Sequence, residues 1–321
     1  MSISKSIERS LIAAETPIFT ATSLCIPDAQ LHEIRMKIYH STGDGYFIFR
    51  NFLTPEAVTH IREMWTSVDP KFAHQGFRSK EQFRVGCQNF SYEYPDGSRV
   101  FYNFLWNPPL DEVTQEASIS VHMLRNRISG RNAFAEMLPG GAKAVSYRLI
   151  ISRNPTFEIT AHRDYAEYER RMEKNQFDPS RLQATLFLSE KGVDYNGIGF
   201  RLECNDGSFV VFGTDVSVAP GDLVIWKYNN LHSVAQVQSN SDQLGFMRII
   251  YPPEDILPAQ IEDSITLASL VDFGKSLARR APGALLRRGK ALVDVGKSLA
   301  RRAPGALLRR GKAFARRLME P

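Results

Sequence analysis

The sequence has no uninterrupted apolar run of about 18 residues, the length that a transmembrane helix needs. Its first residues, MSISKSIERSLIAAETPIF, place Glu8 inside the apolar stretch and lack the small-residue cleavage pattern of a secretory signal. Both features favour a cytoplasmic protein. With 321 residues, 43% of them hydrophobic, the chain is long enough for one large globular domain or two ordinary ones.

Cysteine is scarce as well. The three cysteines, Cys25, Cys87 and Cys204, lie far apart, and the sequence contains no C-x-x-C pair. This spacing argues against a disulfide framework and against a thiolate zinc site. We expect the three residues to be reduced and to behave as small hydrophobic side chains.

Acidic residues are nearly missing from the C-terminal part of the chain. Residues 271–321 contain 14 Lys and Arg against three acidic residues, a net charge of +11. Residues 1–270 contain 26 basic and 32 acidic residues. The overall net charge of +5 therefore conceals a mildly acidic body with a strongly basic tail, and the two parts need separate interpretations.

The first part of the chain predicts helices and loops. GYFIFRNFLTPEAVTHIREMW (45–65) indicates a short strand and then a helix, with Thr54 as its N-cap and Pro55 in its first turn. We expect a hairpin and irregular loops over 72–109, where YPDGS and NPP interrupt an aromatic-rich segment. A further helix is expected over 112–136.

From about residue 143 the pattern changes to short β-type runs separated by turn residues. The eight runs are AVSYRLIIS, FEITAHRD, QATLFLSE, GIGFRLEC, SFVVFG, DVSVAPGDLVIWKY, HSVAQVQS and LGFMRIIYP. They predict a mainly β fold with helical additions, whose core is a double-stranded β-helix, the cupin-like jelly roll, over 143–258. Residues 1–142 would pack on this barrel as a helical and loop region, and 264–321 would form a helical tail.

The run FEITAHRD ends in His162-x-Asp164. Because side chains repeat every two residues along a strand, the imidazole and the carboxylate point to the same side. His232, in PGDLVIWKYNNLHSV, is the candidate third ligand. Two histidines and one carboxylate with open coordination positions suit non-haem Fe(II) and O₂ chemistry. H-x-D alone is most often an exposed turn, so the prediction depends on the combination with His232.

Arg248 lies 16 residues beyond His232, in FMRIIYP. If NSDQ is the turn between these two runs, they form a hairpin, and Arg248 lies deeper on the same inner face. A guanidinium group at that position can hold a carboxylate bidentately.

Other pocket candidates are weaker. Gln183 and Thr185 share one face of QATLFLSE. Tyr147 and Arg148 are adjacent on the strand before the first histidine, and one or the other of them is the further candidate. Either pair could donate hydrogen bonds to a bound carboxylate, but ordinary packing inside a barrel is an equally good interpretation for each. Trp226 is interpreted as a core residue rather than as a substrate wall. The charged insertion YAEYERRMEKNQFDPS is either a lid or a solvated loop.

The combination of His162-x-Asp164, His232 and Arg248 on a jelly roll resembles the Fe(II)- and 2-oxoglutarate-dependent dioxygenases. The segments GYFIFRNFLTPEAVTHIREMW, YNGIGFRL and PGDLVIWKYNNLHSV are similar to the phytanoyl-CoA dioxygenase-like branch of that family. The resemblance covers roughly residues 45–255 and does not extend to the tail.

This resemblance implies a role for each of the four residues. His162, Asp164 and His232 would bind Fe(II), and Arg248 would hold the far carboxylate of 2-oxoglutarate, the co-substrate that chelates the iron. Reaction with O₂ would give succinate and a hydroxylated substrate. Halogenating relatives carry a small residue in place of the carboxylate ligand, so Asp164 favours hydroxylation.

The basic tail contains a 22-residue repeat, in which 271–292 is followed by the closely similar 293–314. On a helical projection leucine and alanine separate from arginine and lysine, so each unit predicts a basic amphipathic helix that suits an anionic membrane surface. A helix packed on the barrel or on a partner, or disorder, is the alternative. A nucleic-acid arm is disfavoured, because aromatic residues for base stacking are limited to Phe273 and Phe314.

The tail favours a membrane-presented substrate at the inner face of the cytoplasmic membrane, such as a lipid-linked sugar, a lipid A precursor or an acyl compound. A Kdo-type sugar hydroxylase fits such a chain. The alternatives are the same chemistry on a soluble amino acid or natural-product intermediate, and a catalytically silent membrane adaptor. Arg84, Arg148 and Arg201 are candidate contacts for an anionic substrate, and the oligomeric state is left open.

Overall fold

A computed structural model describes residues 26–69, 89–105, 109–133, 135, 143–154, 159–164, 181–240, 242–253 and 255–256. The predicted tail, the charged insertion after Asp164 and the candidate Arg84 lie outside these residues, as do Cys25 and Cys87.

The described residues form three helices and thirteen strands. The helices are α1 (Asp28–Tyr39), α2 (Pro55–Ser67) and α3 (Glu112–Ile128). The strands are β1 (Tyr46–Phe49), β2 (Phe90–Glu93), β3 (Arg99–Phe104), β4 (Lys143–Ala144), β5 (Ser146–Ser152), β6 (Ile159–His162), β7 (Leu182–Phe187), β8 (Gly199–Glu203), β9 (Phe209–Val211), β10 (Leu223–Lys227), β11 (His232–Ala235), β12 (Phe246–Tyr251) and β13 (Asp255–Ile256).

The strands build two principal sheets. One has seven strands in the order β1-β10-β7-β12-β5-β3-β2, and the other has four in the order β6-β11-β8-β9. The eight strands from β5 to β12 are those that the sequence predicts, and they divide equally between the two sheets. Successive strands cross from one sheet to the other, except for the β8–β9 hairpin, and their ladders are antiparallel. This is the predicted jelly roll.

The N-terminal region adds strands to the barrel as well as helices. β1 extends one edge of the seven-stranded sheet, and the β2–β3 hairpin extends the other. Helix α2 begins as predicted, because the Thr54 side chain accepts a hydrogen bond from the Ala57 amide at 3.2 Å. Helix α3 is shorter than the predicted 112–136. It ends at Ile128, and Gly130 adopts a φ of 74°, the left-handed conformation that commonly follows a helix.

Alternation along the strands separates two hydrophobic cores. Phe187, Trp226 and Phe246 lie between the two sheets, whereas their neighbours Leu186 and Met247 pack with the helices on the outer face of the larger sheet. Both faces of the central strands are buried, so even their polar residues, such as Gln183, Thr185 and Arg248, lie in the interior. Among the described helices, none combines the length and the apolar character that crossing a membrane requires.

The predicted hairpin between β11 and β12 is wrong. β11 pairs with β6 and β8 in the smaller sheet, whereas β12 pairs with β5 and β7 in the larger one. The chain leaving β11 pairs with the YNG turn instead, through two hydrogen bonds between Asn196 and Gln238. Gly197 is required there, because a Cβ atom would lie 1.5 Å from the Gln236 carbonyl oxygen.

Candidate metal centre

Two histidines meet where β6 ends and β11 begins. His162 is the last residue of β6 and His232 the first of β11, and the two are partners in the antiparallel ladder. Their ring centroids lie 4.3 Å apart. Directly opposed residues of paired strands have Cβ atoms about 5 Å apart, so strand pairing itself brings the two imidazoles together.

Asp164 completes a group of three candidate ligands. Its Oδ1 lies 3.2 Å from His162 Nε2, and its Oδ2 lies 3.6 Å from His232 Nε2. One donor atom from each residue can be chosen so that all lie within 4.8 Å of one another. Donors that share a metal ion at about 2.1 Å lie within roughly 3 to 4 Å of each other, so small side-chain adjustments suffice to bind one ion. In the part of the chain that the structure describes, no second cluster of this kind occurs.

Backbone carbonyls orient both imidazoles. His162 Nδ1 lies 2.7 Å from the carbonyl oxygen of Thr160, and His232 Nδ1 lies 3.1 Å from that of Asn230. Because a carbonyl oxygen only accepts hydrogen bonds, each Nδ1 carries the proton and donates it. Nε2 is the ring atom nearest to Asp164 in both residues, and in His162 it donates a hydrogen bond to Oδ1 when it carries a proton. Loss of the Nε2 proton leaves the lone pair that a metal-binding histidine requires.

The electrostatics of the group favour the protonation states that bind metals. Burial raises the pKa of the Asp164 carboxyl, but the hydrogen bond from His162 and the positive potentials of His232 and Arg148 outweigh it, and the pKa lies below the usual 3.8. Burial lowers the pKa of His232 below the usual 6.5, despite the opposing attraction of Asp164. At neutral pH the carboxylate is ionised and the His232 imidazole is neutral. Two nitrogen donors and one carboxylate fit Fe(II) with coordination positions left for other ligands.

Arg248 faces the same interior from the opposite sheet. Its side chain is 0% exposed, and its pairing opposite Phe187 places it on the inner face of β12. Nη1 donates to Ser152 Oγ at 3.1 Å and to the Phe246 carbonyl oxygen at 3.4 Å, whereas Nε and Nη2 have no hydrogen-bond partner within the described part of the chain. Burial lowers the pKa of Arg248 to about 9.

A buried guanidinium group with two unpaired donors is unfavourable unless an anion binds it. Among the described residues, no carboxylate forms an ion pair with Arg248. The phenyl ring of Phe246 covers one face of the guanidinium group, with its centroid 4.5 Å from Cζ. The edge with the free donors therefore fits a carboxylate that enters the barrel interior.

Gln183 and Thr185 lie on the inner face of β7, next to Trp226. Gln183 pairs opposite Trp226, whose indole Nε1 donates to Thr185 Oγ1 at 3.4 Å and whose ring centroid lies 4.6 Å from that of His232. Trp226 is fully buried, which confirms its interpretation as a core residue, and it also forms part of the wall behind the metal group. Gln183 Oε1 is buried and has no hydrogen-bond partner among the residues that the structure describes.

Tyr147 and Arg148 lie on opposite faces of β5. Tyr147 is fully buried in the core between the larger sheet and the helices, so its hydroxyl faces away from the metal group, contrary to the prediction for Tyr147. The physical reason is strand alternation: Arg148, the other candidate, occupies the inner face. Its guanidinium lies 4.9 Å from the Tyr102 ring centroid and contributes to the low pKa of Asp164.

Arg201 does not face the metal group. Its neighbours Phe200 and Leu202 point into the core between the sheets, so Arg201 lies on the outer face of β8, where it is exposed and stacks on Phe209 at 3.9 Å. The sequence interpretation also missed Arg163 and Glu203, which connect the segments that bear the ligands. The position of Arg163 between His162 and Asp164 was the available signal, since strand alternation directs it away from the ligands.

Comparison with known proteins gives structural neighbours but no family assignment. No family model and no curated protein matches the sequence. A prolyl-4-hydroxylase from Pseudomonas putida is 16% identical, with a TM-score of 0.40, over 69% of this chain and 97% of that one. SnoK, a non-heme α-ketoglutarate-dependent carbocyclase of nogalamycin biosynthesis, is 14% identical, with a TM-score of 0.44, over 74% and 89%.

EctD from S. alaskensis, in a structure with 2-oxoglutarate and 5-hydroxyectoine, is 11% identical, with a TM-score of 0.41, over 74% of this chain and 79% of its own. Likenesses of this size do not by themselves assign chemistry to this chain. Its function has to follow from its own side chains.

Proposed function

We propose that this protein is an Fe(II)- and 2-oxoglutarate-dependent oxygenase that hydroxylates an unactivated C–H bond. One observation carries the proposal: a group of two histidines and one carboxylate shares a barrel interior with Arg248, a fully buried guanidinium with two unpaired donors. A metal group alone would fit many activities. The buried guanidinium group of Arg248 favours a co-substrate with a carboxylate that extends from the metal into the barrel.

Each residue has a defined part in this proposal. His162, Asp164 and His232 would hold Fe(II), and three ligands would leave coordination positions open to the co-substrate and O₂. When bound, Fe(II), 2-oxoglutarate and O₂ would supply the oxidative chemistry. In this reaction 2-oxoglutarate and O₂ give succinate and CO₂, and one oxygen atom enters a C–H bond of the substrate. Asp164 occupies the position of the carboxylate ligand, which supports hydroxylation.

Arg248 orients the co-substrate by binding its far carboxylate through Nε and Nη2. Trp226 and Phe187, both fully buried, line the interior and keep water away from the bound acid. Gln183, Thr185 and the inner-facing Arg148 are the candidates for hydrogen bonds to the carboxylate nearest the metal.

For the substrate, we propose a lipid-linked or otherwise membrane-presented compound, held at an anionic membrane surface by the basic repeat over 271–321. This proposal rests on the sequence of the tail, which lies outside the described residues. The same chemistry on a soluble amino acid or natural-product intermediate is the alternative.

The decisive test is turnover of 2-oxoglutarate. Purified protein incubated aerobically with Fe(II), ascorbate and 2-oxoglutarate is expected to release succinate slowly, even without its substrate, and faster in the presence of a host extract. Asp164→Ala is expected to remove this activity. If wild-type protein neither binds Fe(II) under anaerobic conditions nor forms succinate, the oxygenase proposal is wrong and a non-catalytic adaptor becomes the better explanation.

A further inference from the structure

The segment that carries two of the three ligands is weakly held by the sheet. β6 has only four residues and lies at the edge of the four-stranded sheet. Its register with β11 shifts between the His232 and Val234 pairs. Asp164 lies beyond the end of the strand, so the ladder does not fix its position. Some other contact has to orient Asp164 relative to the two histidines.

Arg163 supplies that contact. It lies between His162 and Asp164 and projects to the other side of the chain, where Nη1 donates to the Asn229 carbonyl oxygen at 2.8 Å and Nη2 forms an ion pair with Glu203. Asn229 precedes His232 in the chain, and Glu203, at the end of the neighbouring strand β8, contacts the residue before His232. Arg163 therefore joins the first two ligands to the third.

Glu203, at the end of β8, holds the residues just before His232 from the other side. Its Oε2 accepts from the Leu231 amide at 3.1 Å, its own amide donates to the Leu231 carbonyl oxygen at 2.8 Å, and its carbonyl oxygen accepts from Asn230 Nδ2 at 2.8 Å. Asn230 in turn accepts the hydrogen bond from His232 Nδ1. One carboxylate thus contacts both ligand-bearing segments.

We propose that Arg163 and Glu203 are positioning residues for the metal group, and that their ion pair sets Asp164 and His162 against His232 before the metal binds. This inference rests on the proposed function. The side chain of Arg163 is 41% exposed and that of Glu203 is 19% exposed. Ion pairs with this much exposure add little to folding stability, so the pair contributes mainly through geometry. Substitution of a residue that orients metal ligands commonly lowers metal affinity by about 10-fold to 100-fold.

Charge and geometry predict opposite outcomes for one of the two residues. Arg163→Met removes a positive charge near a cation site, so electrostatics alone would strengthen metal binding. Glu203→Gln removes a negative charge and would weaken it. If the pair acts by positioning, both substitutions weaken metal binding. The double variant then binds the metal no more weakly than the single variant of lower affinity, because either substitution already breaks the same ion pair.

The test is calorimetric titration of the full chain with Co(II), together with the visible absorption spectrum of the bound Co(II). Arg163→Met and Glu203→Gln are each expected to raise the Co(II) dissociation constant about tenfold and to alter the spectrum, and Arg163→Lys is expected to recover part of the affinity. Thermal unfolding of the metal-free variants confirms that they are folded. If Arg163→Met does not fold, Arg163→Lys and Glu203→Gln carry the test.

A matched control is the ion pair between Arg99 and Glu93 in the β2–β3 hairpin, whose Nε and Oε1 atoms lie 2.9 Å apart. Arg99→Met and Glu93→Gln make the same changes of charge at the far edge of the larger sheet and should leave Co(II) affinity within twofold of wild type. The positioning role is overturned if the Arg163 and Glu203 variants behave like these controls, or if their affinities change in opposite directions. A wild-type protein that fails to bind Co(II) contradicts the proposed function instead.

Discussion

His162 and His232 are direct partners across β6 and β11, with ring centroids 4.3 Å apart, although 70 residues separate them in the sequence. This single register decides whether the metal group exists. A shift of one residue in either strand would turn one imidazole to the other face of the sheet. The backbone acceptors at Thr160 and Asn230 then orient each ring within that register.

Metal binding should be visible in tryptophan fluorescence. The Trp226 ring lies 4.6 Å from that of His232, so a paramagnetic ion such as Co(II) held by His232 should quench Trp226 emission. Titration of the metal-free protein with Co(II) is expected to give saturable quenching. The quenching should be largely lost in Trp226→Phe, while Co(II) still binds by calorimetry. Equal quenching in Trp226→Phe would contradict this placement of the ion.

Replacing Arg248 should separate binding of the co-substrate from binding of the metal. Arg248→Met is expected to weaken 2-oxoglutarate binding by at least about 30-fold, since loss of one partner of a buried charge pair costs roughly 2 kcal/mol or more. Co(II) affinity should stay near that of wild type, because Arg248 does not contact the three ligands.

The melting temperature of the metal-free protein gives a second check on Arg248. Burial lowers the pKa of this guanidinium to about 9, so the folded protein pays for holding its charge inside the barrel. Arg248→Met should therefore melt no lower than wild type in the absence of 2-oxoglutarate. Arg248→Lys, which keeps a charge but loses the bidentate geometry, is the matched comparison. Unchanged 2-oxoglutarate affinity in both variants would contradict the assignment.

The two faces of the barrel wall should respond differently to loss of a polar group. The Tyr147 hydroxyl is buried on the helix side of β5 and finds no hydrogen-bond partner in the described ranges. Tyr147→Phe should therefore leave 2-oxoglutarate affinity unchanged and stabilise the fold by up to about 1 kcal/mol. Gln183→Leu, on the inner face, should weaken 2-oxoglutarate binding with Co(II) present. Calorimetry and urea unfolding measure both effects. Weaker 2-oxoglutarate binding in Tyr147→Phe would show that its hydroxyl reaches the interior.

The pair His60–Asp111 should make stability depend on pH. His60 Nε2 lies 2.8 Å from Asp111 Oδ1, and this hydrogen bond raises the pKa of His60 above 6.5. Burial raises the pKa of Asp111, but the hydrogen bonds from His60 and Thr114 outweigh it, and the pKa falls below 3.8. The contribution of His60 is complete below pH 6.5 and is lost as pH rises through its folded pKa. That of Asp111 is present above pH 3.8 and is lost as pH falls through its own folded pKa.

Asp111→Asn tests this pair, because asparagine still caps α3 by accepting from the Thr114 amide but carries no charge. The pKa of His60, measured by NMR titration, should fall toward 6.5 in this variant, and the pH dependence of the melting temperature near neutrality should flatten. Asp111→Ala, which also loses the cap, should lower stability further, by about 1 kcal/mol. An unchanged His60 titration in Asp111→Asn would exclude the ion pair in solution.

The basic repeat predicts binding to anionic membranes. Sedimentation with vesicles that contain anionic lipid is expected to retain the full chain and to release it at high salt, because the attraction is electrostatic. A chain that ends at residue 270 should stay in solution under the same conditions. Vesicles of neutral lipid are the control, and equal binding of both proteins to the anionic vesicles would remove the membrane-surface proposal.

The sequence alone determined the local elements of this fold. Alternating apolar residues and turn signals located all eight strands from β5 to β12, and the Thr54 cap located the start of α2, because these features depend on contacts within a few residues. The spacing of His162 and Asp164 correctly placed them on one side of the chain. The residues proposed to bind the metal are therefore identifiable from local sequence patterns.

Only the tertiary structure decided which of these residues meet. The periodicity of β5 requires Tyr147 and Arg148 to face opposite sides of the sheet, but the sequence does not show which side is the barrel interior. The helices pack on the outer face of the larger sheet, and Tyr147 is buried beneath them. Arg248 approaches from the sheet opposite His232, because the chain after β11 crosses between the sheets and pairs with Asn196 instead of turning back. Strand pairing and sheet packing join residues far apart in sequence, and no local pattern records those choices.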